Sequence, residues 1–275
     1  MLGKDLAGGC GPGYINGMRS DQRTTAEAFD SRRSSTITPD RRLIFALDVP
    51  EPGQAREWVA RLGSRVGFFK VGLELFTAGW WPVVEEIAGR GHGVMLDLKF
   101  HDIPETVYRA VRRLREHGVS LATVHGQDRA MLQAAAEAAR GDLQVLAVTV
   151  LTSIGEEELR EAGWAGTAEE LVLQRAGKAL AAGCAGVVAS PREVLALRRQ
   201  WGEDFLIVTP GIRPAGAFGA AGSDDQQRTA TAGAAIAAGA DFLVVGRPIR
   251  DAADPPAAAA ALHKEIAAAA EGVRS

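Results

Sequence analysis

The stretch Val94-Met95-Leu96-Asp97-Leu98-Lys99-Phe100-His101-Asp102-Ile103-Pro104-Glu105-Thr106 decides how the chain is read. An apolar run with the character of a buried strand ends in charges of alternating sign, spaced Asp-x-Lys-x-x-Asp. Residues two apart on a strand share a face, so Asp97 and Lys99 are expected to project together from one strand end. Asp102 falls in the loop that follows, and Pro104 pre-sets the first turn of a helix. A lysine flanked by carboxylates is favoured as the ammonium. That makes it a poor base or imine-forming nucleophile, and a good donor of a proton to a carbanion as it forms. Taken alone, the pattern also fits an ion-pair cluster at the rim of a barrel, with Asp102 serving only near the helix start. The flanking sequence decides between the two.

On both sides, short apolar runs alternate with helical stretches, the pattern of repeated βα units. Strands are expected at residues 43–48, 67–71, 93–98, 120–124, 143–150, 185–189, 205–209 and 241–245. Helices are expected at residues 54–62, 81–88, 104–117, 129–140, 168–181, 192–200, 229–238 and 256–270, with Trp80-Trp81 opening the second. Gly118, Gly183 and Gly239 read as helix C-caps without chemistry of their own. Eight such units in about 230 residues fit an α/β fold, a single (β/α)8 TIM barrel over residues 41–275. A doubly wound open sheet is the alternative, but it seldom uses so many evenly spaced units.

Composition sets bounds on function. The 275 residues are 47% hydrophobic and 24% charged, values of a globular protein. A formal charge of −3 implies no general attraction to nucleic acid or to an anionic membrane, so any phosphate binding must be local. No segment reaches the roughly 18 apolar residues of a membrane span. Two cysteines, Cys10 and Cys184, make no disulfide framework, which points to a reducing, cytoplasmic setting. Residues 1–40 lack the apolar core of a signal peptide and are rich in Gly, Ser, Thr, Arg and Asp. They read as a disordered extension, or partly as sequence before a true start at Met18.

In a (β/α)8 barrel, catalytic groups lie at the carboxyl ends of the strands. Polar residues recur there: Asp48 after the first strand, Lys70 at the second, Asp97 and Lys99 at the third, and Thr149 to Ser153 after the fifth. The seventh runs into Thr209-Pro210-Gly211-Ile212-Arg213 and the eighth into Gly246-Arg247-Pro248. Arg213 and Gly246-Arg247 occupy the usual place of a barrel phosphate site, where a glycine admits an anion to the backbone and an arginine fork grips its oxygens. Residues 214–228 are rich in glycine and longer than a barrel needs, which suggests a lid. His101 and His125 also lie near strand ends, but no pair has metal-ligand spacing. His101 reads as a loop hydrogen-bonder and His125 as a residue lining the fourth strand. His92, His117 and His263 read as surface residues.

Several motifs occur in order: Ala46-Leu47-Asp48, Phe69-Lys70-Val71-Gly72, Leu96-Asp97-Leu98-Lys99-Phe100-His101-Asp102-Ile103-Pro104-x-Thr106-Val107 and Thr149-Val150-Leu151-Thr152-Ser153. Thr209-Pro210-Gly211-Ile212-Arg213, Asp225-Gln226 and Val245-Gly246-Arg247-Pro248-Ile249 follow. Across about residues 41–250 the chain resembles the orotidine 5′-phosphate decarboxylases of the bacterial type. The resemblance implies decarboxylation of orotidine 5′-monophosphate to uridine 5′-monophosphate without a cofactor or metal, in a homodimer. It implies that Lys99 donates the proton, Asp97 lies beside the departing carboxylate, and Asp48 and Lys70 hold ribose hydroxyls and join the catalytic charge network. Asp102 and Thr106 would reach into the partner's site, and Thr152, rather than Ser153, would contact the pyrimidine. Arg213, Gln226 (or its neighbour Gln227), Gly246 and Arg247 would grip the 5′-phosphate. A Mg2+-dependent sugar-phosphate decarboxylase or aldolase-like synthase acting on an enediolate shares the Asp-x-Lys-x-x-Asp pattern. The Phe100-to-Pro104 sequence and the long loop with Gln226 argue against it. A silent nucleotide-binding or scaffold barrel would be marked by loss of Lys99 or Asp97.

Overall fold

The computed structural model describes residues 37–139, 141–214 and 228–274. Eight parallel strands close into a barrel in sequence order. They are β1 (Leu43–Ala46), β2 (Phe68–Gly72), β3 (Gly93–Phe100), β4 (Leu121–His125), β5 (Gln144–Val148), β6 (Gly186–Val188), β7 (Leu206–Thr209) and β8 (Phe242–Val245), with β8 pairing back onto β1. The helices are α1 (Pro52–Leu62), α2 (Leu73–Gly89), α3 (Pro104–Leu114), α4 (Arg129–Ala138), α5 (Glu156–Glu161), α6 (Ala168–Ala181), α7 (Val194–Trp201), α8 (Ala232–Ala237), α9 (Arg247–Arg250) and α10 (Pro255–Arg274). Each expected unit is present. The short helices α5 and α9 were not foreseen, and the expected helix at residues 229–238 begins only at Ala232. β5 stops at Val148, two residues short of the expected end.

Two cores result from strand alternation. Ile44, Phe68, Met95, Leu121, Leu146, Leu206 and Phe242 point inward and fill the lower half of the barrel. Their neighbours, among them Phe45, Phe69, Leu96, Val124 and Leu243, face the helical ring. Phe68 and Phe242 meet edge to face at 5.2 Å and close the barrel floor. Gly93 makes room for this plug, since a Cβ there would lie 2.1 Å from the Phe68 ring. Ile37, just ahead of a 3-10 turn at Pro39–Arg41, is buried in the same inner cluster. Helix starts follow local chemistry: Thr167 and Glu170 form a capping box on α6, Asp128 caps α4, and Pro104 opens α3.

The expectation that Trp80-Trp81 opens the second helix is corrected. That helix starts at Leu73, so Trp81 and Pro82 lie in its interior. Proline is most at home in a helix's first turn, and this preference moved the expected start eight residues too late. The reading of His92, His117 and His263 as surface residues is also corrected, because all three are half-buried. His92 packs edge-on against Phe69 at 5.1 Å, and burial pulls its imidazole below the usual range. His117 stacks on Trp81 at 3.9 Å while its Nδ1 meets Glu85 at 2.7 Å. Gly118, Gly183 and Gly239 have φ of 73°, 89° and 106°, as C-caps require. Cys184 is buried, and burial pushes its thiol up to about 12.

At the end of the barrel opposite the polar strand ends, Asp241 is fully buried. It accepts from Arg198 Nη2 and from the Ile207 amide, both at 2.7 Å. Arg198 also donates to the carbonyls of Gly239 and Phe205 and stacks over the Phe205 ring. Asp241→Ala would strand both the guanidinium and the amide. Urea unfolding is expected to show a loss of about 3–5 kcal/mol. A change under about 1 kcal/mol would mean that the pair contributes little.

Candidate active site

Inward positions change character on moving up the first four strands. Ile44-Ala46 leads to Asp48, Phe68 to Lys70, Met95 to Asp97 and Lys99, and Leu121 to Thr123 and His125. Above the apolar plug these side chains form a row of alternating charge. Lys70 Nζ lies 2.8 Å from Asp48 Oδ1 and 3.9 Å from Asp97 Oδ2, and Lys99 Nζ lies 3.0 Å from the same Asp97 oxygen. Gly72, one step beyond Lys70 on the same face, makes room for the row. A Cβ there would come within 3.2 Å of Lys70 Nζ and 3.5 Å of Asp48 Oδ1.

Simple alternation foresees Asp97 and Lys99 on one face, but the strand is not regular at this point. Leu96 pairs with Ala122 and Phe100 with Val124, so a four-residue step on β3 faces a two-residue step on β4. This is a bulge. Lys99 takes φ of +51°, the only non-glycine residue with positive φ among those described, a conformation that costs a residue bearing a Cβ roughly 1–3 kcal/mol. Thr123, fully buried on β4, fills the gap opposite the bulge. Its hydroxyl donates to Asp97 Oδ1 at 2.9 Å and accepts from the Lys99 amide at 3.0 Å. One oxygen thus fixes both members of the pair, a role that reading the sequence missed. The available signal was a threonine at an inward position of an otherwise apolar strand.

Burial by itself would raise the Asp97 carboxyl. The charges of Lys70 and Lys99, with hydrogen bonds from Lys99 and Thr123, more than offset this and hold it below the usual carboxylate range. His125 is shifted down, first by burial and then by the neighbouring cations of the mouth. Its ring lies 5.3 Å from that of His101. Among the described residues no three His, Cys, Asp or Glu side chains gather as a ligand set for a metal.

A cavity of about 330 Å3 opens above the row. Its walls include Asp48, Lys70, Asp97 and Lys99 on one side, Thr152 and Ser153 after β5, and Arg213, Gly246 and Arg247 after β7 and β8. Lys99 therefore faces the pocket that Arg213 and Arg247 border. Arg213 is held by its amide to Ala230 O at 2.9 Å, beside a bridge between Ile212 and Ala230. Arg250 Nη1 donates to Asp48 O at 2.9 Å, tying α9 to the end of β1. Gln226 lies outside the described residues, as does most of the expected lid.

Asp102 and Thr106 do not line this cavity. Asp102 accepts from the Ile103 amide at 2.6 Å, and residues 101–106 are all exposed. Ile103 is 67% exposed, and Leu73 at the start of α2 is 60% exposed. Each follows a strand whose carboxyl end leads to the mouth, β3 and β2 respectively.

Residues 41–262 match the Orotidine 5′-phosphate decarboxylase / HUMPS family. The chain belongs to this family. A protein of Xanthomonas euvesicatoria pv. vesicatoria named orotidine 5′-phosphate decarboxylase is 50% identical over 240 residues, spanning 87% of this chain and 97% of that protein. One of the same name from Stenotrophomonas maltophilia is 49% identical over 240 residues, spanning 87% and 98%. The crystal structure of orotidine 5′-phosphate decarboxylase from Lactobacillus acidophilus superposes with a TM-score of 0.72 at 38% identity, covering 82% of this chain and 99% of that one.

Since the Asp97 value is depressed by folding, the stability it confers is complete above the ordinary aspartate range. It is lost as pH falls through the lowered value. Thr123→Val removes one of the bonds that hold it down. The substitution is expected to move this acid loss to higher pH and to cost about 1–3 kcal/mol at neutral pH. Urea titrations from acid to neutral pH check both, and superimposable curves for the two proteins would remove Thr123 from this role.

Proposed function

We propose that the chain decarboxylates orotidine 5′-monophosphate to uridine 5′-monophosphate and CO2, the last step of de novo pyrimidine nucleotide synthesis, and that it does so in the cytoplasm. The observation that carries this reading is the Asp48–Lys70–Asp97–Lys99 row facing, across one cavity, the arginines after β7 and β8. The family match and the named relatives support the substrate.

Breaking the bond between C6 and the carboxyl carbon leaves the electron pair on C6 as CO2 departs. The pyrimidine ring offers this pair no extended electron sink, so stabilisation must be electrostatic and preorganised. The Lys99 ammonium, fixed by Asp97 and by its own pinned backbone, supplies the field and then the proton, which solvent restores. Asp97, kept ionised by its neighbours, faces the substrate carboxylate as a like charge, and this repulsion vanishes when CO2 leaves. This repulsion contributes less than the field of Lys99, which acts on the charge that develops at C6. Lys70 and Asp48 hold ribose hydroxyls, and Thr152 meets the pyrimidine. Arg213, Gly246, Arg247 and Gln226 take the phosphate, whose binding energy helps order the reacting end. The residues act without a cofactor.

A second copy of the chain completes the site in this reading. Exposed Asp102 and Thr106, with exposed Ile103 between them in the chain, support a homodimer in which these two polar residues enter the partner's mouth.

Loss of orotidine monophosphate absorbance, followed with chelator present, tests the activity. No turnover of orotidine monophosphate, together with chelator-sensitive activity on a sugar-phosphate keto acid, would favour Mg2+-dependent enediolate chemistry instead. Lys99→Ala is expected to abolish turnover while leaving product binding measurable, and near-normal turnover would remove Lys99 from the mechanism. Mixing Lys99→Ala with Asp102→Ala protein is expected to restore activity that neither has alone, because one hybrid site is intact. No recovery after confirmed subunit exchange would place Asp102 outside the shared site.

A further inference from the structure

Just past β5, where Thr149 N still donates to Val188 O at 3.2 Å, three successive carbonyls are held by two arginines from elsewhere in the chain. Arg175 on α6 donates through Nη1 to Thr149 O at 2.6 Å. Arg228, ahead of α8, donates through Nη2 to Leu151 O at 3.0 Å and more distantly to Val150 O at 3.5 Å. Its Nη1 meets Glu193 Oε1 at 2.8 Å, and the two side chains are only 8% and 5% exposed. Glu193 stands at the start of α7, after β6. The anchor of Arg228 is itself fixed, for Ala230 exchanges backbone hydrogen bonds with Arg213 and Gly211 at the end of β7.

Neither Arg228 nor Glu193 borders the cavity, but Leu151, Thr152 and Ser153 do. A buried ion pair is weak evidence for stability, because desolvating both charges offsets most of their attraction. What an arginine fork supplies is geometry: rigid donors at fixed angles to several acceptors at once. Here the fork joins the segments that follow β5 and β6, the backbone at Ala230 ties it to the end of β7, and one of its acceptors lies next to Thr152. Misplacing a site wall by about 1 Å can cost on the order of a hundredfold in rate.

We propose that Arg228, clamped by Glu193, is a positioning residue that sets the segment at residues 150–153 and through it the seat of the pyrimidine. The inference rests on the decarboxylase reading and deepens it. Lysine at position 228 would keep the charge near Glu193 and lose the fork. Glutamine at 193 would keep an acceptor and lose the charge.

The experiment compares wild-type protein with Arg228→Lys and Glu193→Gln for turnover of orotidine monophosphate, and for binding of uridine monophosphate and of ribose 5-phosphate, which lacks the base. Wild-type turnover tests the decarboxylase reading separately, and only the ratio of variant to wild type bears on positioning. In Arg228→Lys, kcat and uridine monophosphate affinity are expected to fall about tenfold or more, while ribose 5-phosphate affinity stays within roughly twofold. Glu193→Gln should show the same pattern in weaker form, and it carries the test if Arg228→Lys fails to fold. Parallel loss of both affinities would indicate a merely structural role. That result, or kcat within roughly twofold of wild type in both variants, overturns the proposal.

Discussion

Four charges of alternating sign, packed above an apolar plug, are the constraint around which the mouth of the barrel is built. Each cation has an anion within reach, and Asp97 is shared by two of them. Oriented charges in a partly buried site act more strongly than the same charges in water, and they need no rearrangement when a reaction begins. The surroundings serve that order. Gly72 leaves space beside Lys70, Arg250 holds the backbone of Asp48, and Thr123 ties Asp97 to the backbone of Lys99.

The barrel separates this arrangement from what holds it together. Below the row, inward side chains are apolar and close the floor through Phe68 and Phe242. At the far end, Asp241 and Arg198 join the β7 and β8 edges without touching the mouth. The strained geometry is confined to one residue of β3, and Thr123 on the next strand accepts the hydrogen bond that holds its amide. Chemistry and cohesion thus occupy opposite ends of the same strands, as is usual for this architecture.

Much of this was legible in the chain. The βα alternation gave the barrel, and polar residues at strand ends named Asp48, Lys70, Asp97, Lys99, Thr152, Arg213, Gly246 and Arg247, all of which border one cavity. Three things were hidden, each for a physical reason. The start of α2 was obscured by Pro82, whose usual position in a first turn is overridden here by burial of Leu75 before it and of Val83, Val84 and Ile87 after it. The bulge at Lys99 depends on the register between two strands, which no local pattern reveals. The bonds of Thr123 and of Arg228 join residues 26 and 77 positions apart, so they exist only once the ends of several strands have met.

The closed ring has a consequence for the defect it carries. In an open sheet, a strand with a kink of this size at its border would leave amide and carbonyl groups available to another molecule, a known route to edge-to-edge association. Here β3 is paired on both sides, with β2 and with β4. The irregular backbone that presents Lys99 therefore follows a stretch paired to β2 as far as Asp97 and is taken up again by β4 at Phe100. Because the ring is closed, no free strand border lies beside it to act as a template for aggregation.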